Sequence, residues 1–316
     1  MAGACKRGDN QGMITVVGSI NMDLIANVAR LPKPGETLAG TAFATAAGGK
    51  GANQALAARR AGADVAMVGA VGADGFAAEA LALLAEAGAD LDKVARVEGA
   101  TGIASILVGA EDGDNVIVVV AGANGEVGAD AAKAAVDRMG KDDTLLLQME
   151  IPAPAIEAAL RAARDRSIRS ILNVAPLTED AMTLAPLASI VIANETEFAL
   201  LCRIKDQSAA EREGAMQAMS RDRDQTIIVT LGADGVMAFH DGRMHHVQGL
   251  SIKPVDTVGA GDTFCGYLAT GLNAGLDFEL ALRRAAAAGS LACLKPGAQP
   301  SIPTAVEVDA ALADTQ

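Results

Sequence analysis

The sequence predicts an α/β protein: a mainly parallel sheet with helices packed on it, carrying a small β flap that acts as a lid. Three observations lead there. From about residue 128, short apolar runs alternate with runs of helical spacing, the pattern of parallel strands joined by helices. Several of those apolar runs end in polar or glycine-rich segments, where open α/β sheets bind their ligands. Two pairs of strand-like runs, within 24–45 and 102–120, lack helix-forming crossovers between their members and so read as a separate sheet.

Composition narrows the function. With 316 residues, 51% hydrophobic and 21% charged, the chain is globular with a large core. Aromatic residues make up only 2%, so the core is built from small aliphatic side chains with helices close to the sheet. Few aromatics also argue against single-stranded nucleic-acid binding, which needs stacking platforms. A net charge of −13 opposes binding to phosphate backbones or anionic lipid, although a local nest of N–H groups still suits a small anion. No apolar run reaches the ~18 residues of a membrane span. Cys5, Cys202, Cys265 and Cys293 show no zinc or redox spacing and read as reduced thiols of a cytoplasmic protein. Residues 1–12 read as a flexible tail and 13–316 as the α/β domain, with lid strands near 24–45 and 102–120 inserted. The three histidines, His240, His245 and His246, cluster on one β-like hairpin. The adjacent pair points to opposite faces of a strand, a poor metal site, so acid–base chemistry falls to carboxylates.

Taken in order, residues 14–18 form a short apolar strand ending in glycine. Ser19-Ile20-Asn21-Met22-Asp23 follows at the ligand edge. Asn21 and Asp23 share a face if the chain stays extended, offering an amide and a carboxylate to hydroxyl groups; an Asx turn accounts for them equally. Runs 24–31 and 37–45 are strands separated by a Pro-Lys-Pro-Gly turn at 32–35. Runs 102–108 and 115–120 are a second pair around the hairpin signal Gly109-Ala110-Glu111-Asp112-Gly113-Asp114. Four such strands can cover a site.

Gly48-Gly49-Lys50-Gly51-Ala52-Asn53-Gln54 opens a helix backed by Ala55, Leu56, Ala58 and Ala61. It is not a P-loop, since Gly51 stands where Ser or Thr is needed. Either a ligand lies against the bare backbone, with Asn53 pointing from the first turn, or this is simply a glycine-rich helix start. Run 65–71 is a buried strand, and a helix follows to near Gly88. The Gly69, Gly72, Gly75 spacing is not the dinucleotide pattern and gives an NAD site little support.

Regular alternation follows: helix 129–138, strand 144–148 with Glu150 just beyond it, a helix begun at Pro152, strand 170–174, helix 179–187 and strand 190–193. Asn194-Glu195-Thr196-Glu197 opens the next helix, either as a capping box or as a ligand contact. Helix 209–221, strand 226–230, the turn Leu231-Gly232-Ala233-Asp234-Gly235 and the histidine hairpin come next. Helices 261–274 and 278–294 end the pattern, with Gly297-Ala298-Gln299-Pro300-Ser301 as a final loop. Before them stands Val255-Asp256-Thr257-Val258-Gly259-Ala260-Gly261-Asp262-Thr263-Phe264. Asp262 lies in the first turn of a helix behind a Gly-Ala-Gly turn, where free N–H groups and the helix dipole favour an anion. An ionised carboxylate there can take a proton from a hydroxyl; a glycine turn with an acidic cap is the alternative.

Together, Gly48–Gln54 and Asp256–Asp262 resemble the two signatures of the ribokinase/PfkB family of sugar kinases. Asn194-Glu195-Thr196-Glu197 resembles its Asn-x-x-Glu element, and the 18–23 and 297–301 segments extend the likeness from about residue 14 to 310. The resemblance implies a doubly wound α/β fold with a β lid and transfer of the ATP γ-phosphoryl group to the 5-hydroxyl of a pentose, D-ribose first. Another pentose, deoxyribose or a nucleoside is the runner-up substrate, and a non-catalytic sugar sensor the runner-up class.

It further implies Asp262 as the base and the Gly259, Ala260 and Gly261 N–H groups as an anion hole. Asn21, Asp23, Gly49, Lys50, Asn53 and Glu150, with Met22, Gly51 and Ala52 in the same runs, resemble the sugar-binding set. Asn194 and the turn Thr230, Leu231, Gly232, Ala233, Asp234, Gly235, with Gly261 and Asp262, resemble the nucleotide contacts. Ala286 stands where relatives often carry a polar residue near the adenine. Glu197 resembles the residue that organises Mg²⁺ through water. Asp256 and Ser301 resemble side-chain ligands of K⁺, with Val258, Ala292, Lys295 and Gly297 at its carbonyl positions. The lid implies a homodimer.

Overall fold

A computed structural model describes residues 12–110, 115–205, 208–221 and 223–314. The elements run β1 (Ile14–Val17), β2 (Asn21–Val28), β3 (Gly40–Gly48), α1 (Lys50–Arg60), β4 (Val65–Gly72), α2 (Phe76–Glu86) and β5 (Asp90–Val97). Then come β6 (Gly102–Gly109), β7 (Asn115–Val120), α3 (Ala129–Asp137), β8 (Thr144–Leu147), α4 (Ala153–Asp165), β9 (Arg169–Asn173) and α5 (Ala181–Leu184). They continue as β10 (Ile190–Asn194), α6 (Glu195–Cys202), α7 (Ala209–Arg221), β11 (Thr226–Thr230), β12 (Val236–His240) and β13 (Arg243–Val247). The last are α8 (Ala260–Asn273), α9 (Phe278–Ala292), α10 (Ala298–Ser301) and α11 (Ala305–Ala313).

Nine strands form one sheet in the order β13-β12-β11-β10-β9-β8-β1-β4-β5. It is parallel except at β12, which runs antiparallel to both neighbours. Side chains alternate across it. Val16, Ile171, Ile192 and Ile228 enter the core under α1, α8 and α9, whereas Val17, Leu172, Val191 and Ile227 enter the core under α3, α4 and α7. The sheet is therefore wound on both faces, as the alternation predicts.

The close helix approach expected from an Ala/Gly-rich core is visible where α8 crosses α1. A methyl group at Gly266 would come within 2.5 Å of Ala57 Cβ and 2.6 Å of the Gln54 carbonyl oxygen. Only glycine lets these axes come so near, and that contact brings the N-terminus of α8 against α1.

A separate four-stranded sheet, β3-β2-β6-β7, is antiparallel apart from the β2–β6 pair. Its first two strands begin and end elsewhere than their hydrophobic runs suggest. β2 starts at Asn21 and stops at Val28, and β3 starts at Gly40. Partner geometry decides this: β2 pairs with β6 in an unbroken register from Asn21–Gly102 to Val28–Gly109. Asn21 and Asp23 thus belong to a lid strand.

Two further elements escape sequence reading. β5 is an edge strand whose charges at Asp90, Asp92, Lys93 and Arg96 mask its half-buried Leu91, Val94 and Val97. The loop at 297–301 contains the short helix α10, and α11 follows it behind a Thr304–Glu307 capping box. Most of the tail at 1–12, and positions 111–114 of the hairpin turn, lie outside the described residues.

Candidate active site

Asp262 is 6% exposed in the first turn of α8. Its Oδ2 accepts from Asn53 Nδ2 and its Oδ1 from Gln54 Nε2, both at 2.9 Å. Behind it, Gly259 caps the helix with φ 78°, and a Cβ there would lie 2.9 Å from Ala298 Cα. Both the left-handed backbone and the contact exclude a side chain. Among the described residues, the N–H groups of Gly259, Gly261 and Asp262 have no hydrogen-bond partner, while that of Ala260 donates to the Thr257 carbonyl at 3.3 Å. The free donors of this turn therefore differ by one residue from the three inferred by resemblance.

On one side lies a polar group assembled from β2, α1 and the end of β8. Glu150 Oε2 accepts from Ser19 Oγ at 2.5 Å and from the Lys50 backbone N–H at 3.1 Å. Asn124 bridges the Ile20 backbone and donates to Asn21 Oδ1 at 2.7 Å, fixing that amide. Asn53 Oδ1 is buried without a partner among the described residues, an unmet acceptor beside Asp262.

Lys50 has its ammonium pKa raised, first by the Asp262 carboxylate and further by Glu150 and Glu197, against the opposing effect of burial. Asp23 is pushed up to about 6, chiefly by burial and then by the negative charges of Glu150 and Asp262, with Lys50 opposing. The unfolded chain therefore ionises Asp23 first, and the sugar-free fold loses stability as pH rises from about 4 to about 6. Asp23→Asn is expected to stabilise the ligand-free protein by on the order of 2 kcal/mol at pH 7 and to flatten that pH dependence. Urea unfolding at pH 4.5 and pH 7 tests it; a variant less stable than the parent at pH 7 refutes it.

On the other side a cavity of about 220 Å³ is lined by Lys50, Asn194, Glu197, Thr230, Gly261 and Asp262, together with Gly259, Thr257, Asn173 and Cys265. Cys265 is buried one turn beyond Asp262, and burial drives its thiol pKa well up, so it enters as a neutral wall. Asn194 and Glu197 also form the capping box of α6, through Asn194 N to Glu197 Oε2 at 2.9 Å and Glu197 N to Asn194 Oδ1 at 2.8 Å. The capping box is present, and the capped helix start places both side chains at the cavity wall.

Not every candidate residue reaches this space with its side chain. Met22 and Ala52 are fully buried in the core. Gly49 and Gly51 face their own chain: a Cβ at Gly49 would strike the Asn21 nitrogen at 2.7 Å, and one at Gly51 the Ser19 nitrogen at 2.5 Å. Beyond Thr230, the segment Leu231 to Gly235 closes on itself through Leu231 N to Gly235 O at 2.8 Å, with Gly232, Ala233 and Asp234 exposed and outside the cavity wall. Ala286 is buried in α9, away from the wall.

Among the described residues there is no cluster of three or more His, Cys, Asp or Glu suited to a metal. A hard monovalent ion needs oxygen ligands of another kind. Asp256 accepts from Val258 N at 3.0 Å and Gly297 N at 2.8 Å, pinning segment 255–258 to segment 293–297, which is also held by the Cys293 carbonyl. In the same place the Val258, Ala292 and Lys295 carbonyls accept no hydrogen bond from described residues. Ser301 Oγ is buried and donates to the Ala298 carbonyl. This junction offers oxygen atoms without hydrogen-bond donors among the described residues, the ligand type a hard cation takes. For Mg²⁺, Glu197 lines the cavity with Oε1 uncommitted among the described residues, enough for an ion held mainly by phosphate and water.

Sequence reading missed Ser19, Asn124, Gln148, Asn173 and the buried role of Gln54. Each is an ordinary polar residue until distant elements converge on it.

Comparison with known proteins is concordant. Residues 11–305 match the family described as pfkB family carbohydrate kinase. The chain is 36% identical over 298 residues to ribokinase of Haemophilus influenzae, covering 93% of this chain and 96% of that protein. It is 37% identical over 297 residues to ribokinase of Bacillus subtilis, covering 94% and 98%. The structure of Arabidopsis thaliana ribokinase complexed with ribose and ATP superposes with a TM-score of 0.86 at 30% identity, covering 96% of this chain and 99% of that one.

Proposed function

This chain belongs to the pfkB family of carbohydrate kinases, and from that premise we propose that it transfers the γ-phosphoryl group of ATP to O5 of D-ribose, giving D-ribose 5-phosphate and ADP. The observation that carries the reading is the buried Asp262 carboxylate, held by two amides between a hydroxyl-binding polar group and a cavity walled by Asn194, Glu197 and Thr230. Asn21, Asp23, Lys50, Asn53 and Glu150 orient the sugar. Asp262 accepts the proton of the 5-hydroxyl as its oxygen attacks the γ-phosphorus and the bond to the ADP oxygen breaks. The Gly259–Asp262 turn presents N–H groups to the charge on the transferring phosphoryl.

Glu197 would hold Mg²⁺ through water, which would neutralise charge on the phosphates, and Asp256, Ser301 and the Val258, Ala292, Lys295 and Gly297 carbonyls would hold K⁺. A non-catalytic sensor needs no aligned base, so the intact Asp262 turn favours turnover. Residues 13–316 then work as one kinase domain, placed in the cytoplasm in keeping with free thiols at Cys202, Cys265 and Cys293. Among the described residues no helix is long and apolar enough to cross a membrane.

Steady-state phosphorylation of a panel of ribose, 2-deoxyribose, other pentoses and nucleosides, with MgATP in KCl or NaCl, tests the reading. Ribose is expected to have the highest kcat/KM and KCl the higher rate. A nucleoside or deoxyribose well ahead of ribose refutes the substrate, and equal rates in both salts refute K⁺ selectivity.

The lid carries a homodimer in this reading. Val116, Ile117, Val118, Val119 and Val120 on β7 are 46–57% exposed, and Phe43 on β3 is 68% exposed. Apolar edge strands of this kind need covering. Val118→Lys is expected to convert a dimer to a monomer in sedimentation equilibrium; a parent already monomeric at assay concentration refutes it.

A further inference from the structure

We infer that Gln54 is a positioning residue for Asp262, and that Gln148 and Asn173 set the polarity of its amide. Gln54 uses its side-chain NH₂ twice, towards Asp262 Oδ1 at 2.9 Å and Asn173 Oδ1 at 3.2 Å. Its carbonyl oxygen accepts from Gln148 Nε2 at 2.8 Å. Asn173 cannot turn to compete, because its own Nδ2 donates to the Ile192 carbonyl at 3.3 Å. A flipped Gln54 would set its oxygen against two acceptors and its NH₂ against another donor. One orientation therefore satisfies the group, and in that orientation Asp262 meets a donor.

The three amides come from α1, the end of β8 and the end of β9, and Gln54 and Gln148 are fully buried. Gln148 holds its place with Oε1 unpartnered among the described residues, packed against Gly18, where a Cβ would come within 2.1 Å of it. An apolar side chain of the same size would suit a core better, since an unmet buried acceptor is unfavourable. The amide is kept for the donor it points at Gln54. With Asn53 on Oδ2, the relay fixes the carboxylate plane. Lys50 on α1, Asp23 on β2 and the Cys265 thiol on α8 also face Asp262, and they are untouched by changes at Gln54 or Gln148.

The inference rests on Asp262 being the base, so its test has a readout independent of turnover. In Gln54→Met, kcat is expected to fall about 10- to 100-fold, as for a lost hydrogen bond to a charged group, with sugar KM within about threefold of the parent. The Asp262 carboxyl carbon resonance, assigned by its loss in Asp262→Asn, is expected to change its chemical shift at neutral pH, because the donor on Oδ1 is gone. Gln148→Met, which touches neither Asp262 nor the cavity, should move both readouts in the same direction by less, and it carries the test if Gln54→Met fails to fold. An unmoved resonance with kcat within twofold of the parent overturns the inference, as does a lower melting temperature with both readouts unchanged. If the parent phosphorylates no sugar, the proposed function falls, and the resonance alone still decides whether Gln54 positions the carboxylate.

Discussion

Asp262→Ala is expected to lower kcat by about 10²- to 10⁴-fold while leaving the calorimetric Kd for sugar within a few-fold of the parent, the pattern of a lost general base. The split follows from geometry. In the proposed reading Asp262 faces the reacting hydroxyl and the remaining sugar hydroxyls fall to Asn21, Asp23 and Asn53, while Asn124 holds Asn21 independently of Asp262. The substitution also removes a negative charge that raises the pKa of both Asp23 and Lys50. Sugar affinity should accordingly persist to lower pH in the variant, because Asp23 ionises more readily once a like charge is gone. Normal turnover in Asp262→Ala would remove the base assignment, and a parallel collapse of sugar binding would mean that Asp262 is mainly a binding residue.

Gly259→Ala is the second large effect. The residue has φ 78°, and its new Cβ would meet Ala298 at 2.9 Å from Cα and 3.0 Å from Cβ. Those are backbone and short side-chain atoms with little freedom to move, so the turn or α10 must shift. The left-handed conformation alone costs an alanine about 1–2 kcal/mol. The shift misaligns the N–H groups of Gly259, Gly261 and Asp262, and one misplaced donor is worth about 10²- to 10³-fold in kcat. Gly261→Ala is the control for stability, since it has open space beside it and no positive φ. Thermal melts are expected to drop for Gly259→Ala and hold for Gly261→Ala. Single-turnover rates should fall at least about 10²-fold for Gly259→Ala. A Gly259→Ala enzyme with parental kcat would show that the turn's donors do not act on the phosphoryl group.

What could be read directly was the chemistry carried by short runs. Asp262 behind Gly-Ala-Gly is legible because a glycine turn, a carboxylate and an apolar helix stripe stand within ten residues. The Asn194–Glu197 capping box is legible because both partners lie in one turn, and the structure places the same pair at the cavity wall. The alternation after residue 128 is legible because each strand is buried on both faces and reads as a continuous apolar run. β5 was not, because an edge strand exposes one side and tolerates charge. The bounds of β2 and β3 were not, because strand ends follow the partner's register more than the strand's own hydrophobicity.

The amino-acid order alone, then, determines a two-faced parallel sheet, a polar edge and a carboxylate at a helix start, since periodicities and turn chemistry act over a few residues. The rest depends on contacts that a linear reading cannot weigh. Gln54 stands 208 positions from the carboxylate it holds, and Asn53 stands 209 from it. Only the close crossing of α8 over α1 at Gly266 brings them within hydrogen-bond reach, turning a glutamine with no local signature into a donor to the Asp262 carboxylate. Asn124 and Ser19 gain their meaning in the same way, from partners 103 and 131 residues away. A buried polar group takes its role from whatever satisfies it, and packing of the whole chain chooses that partner.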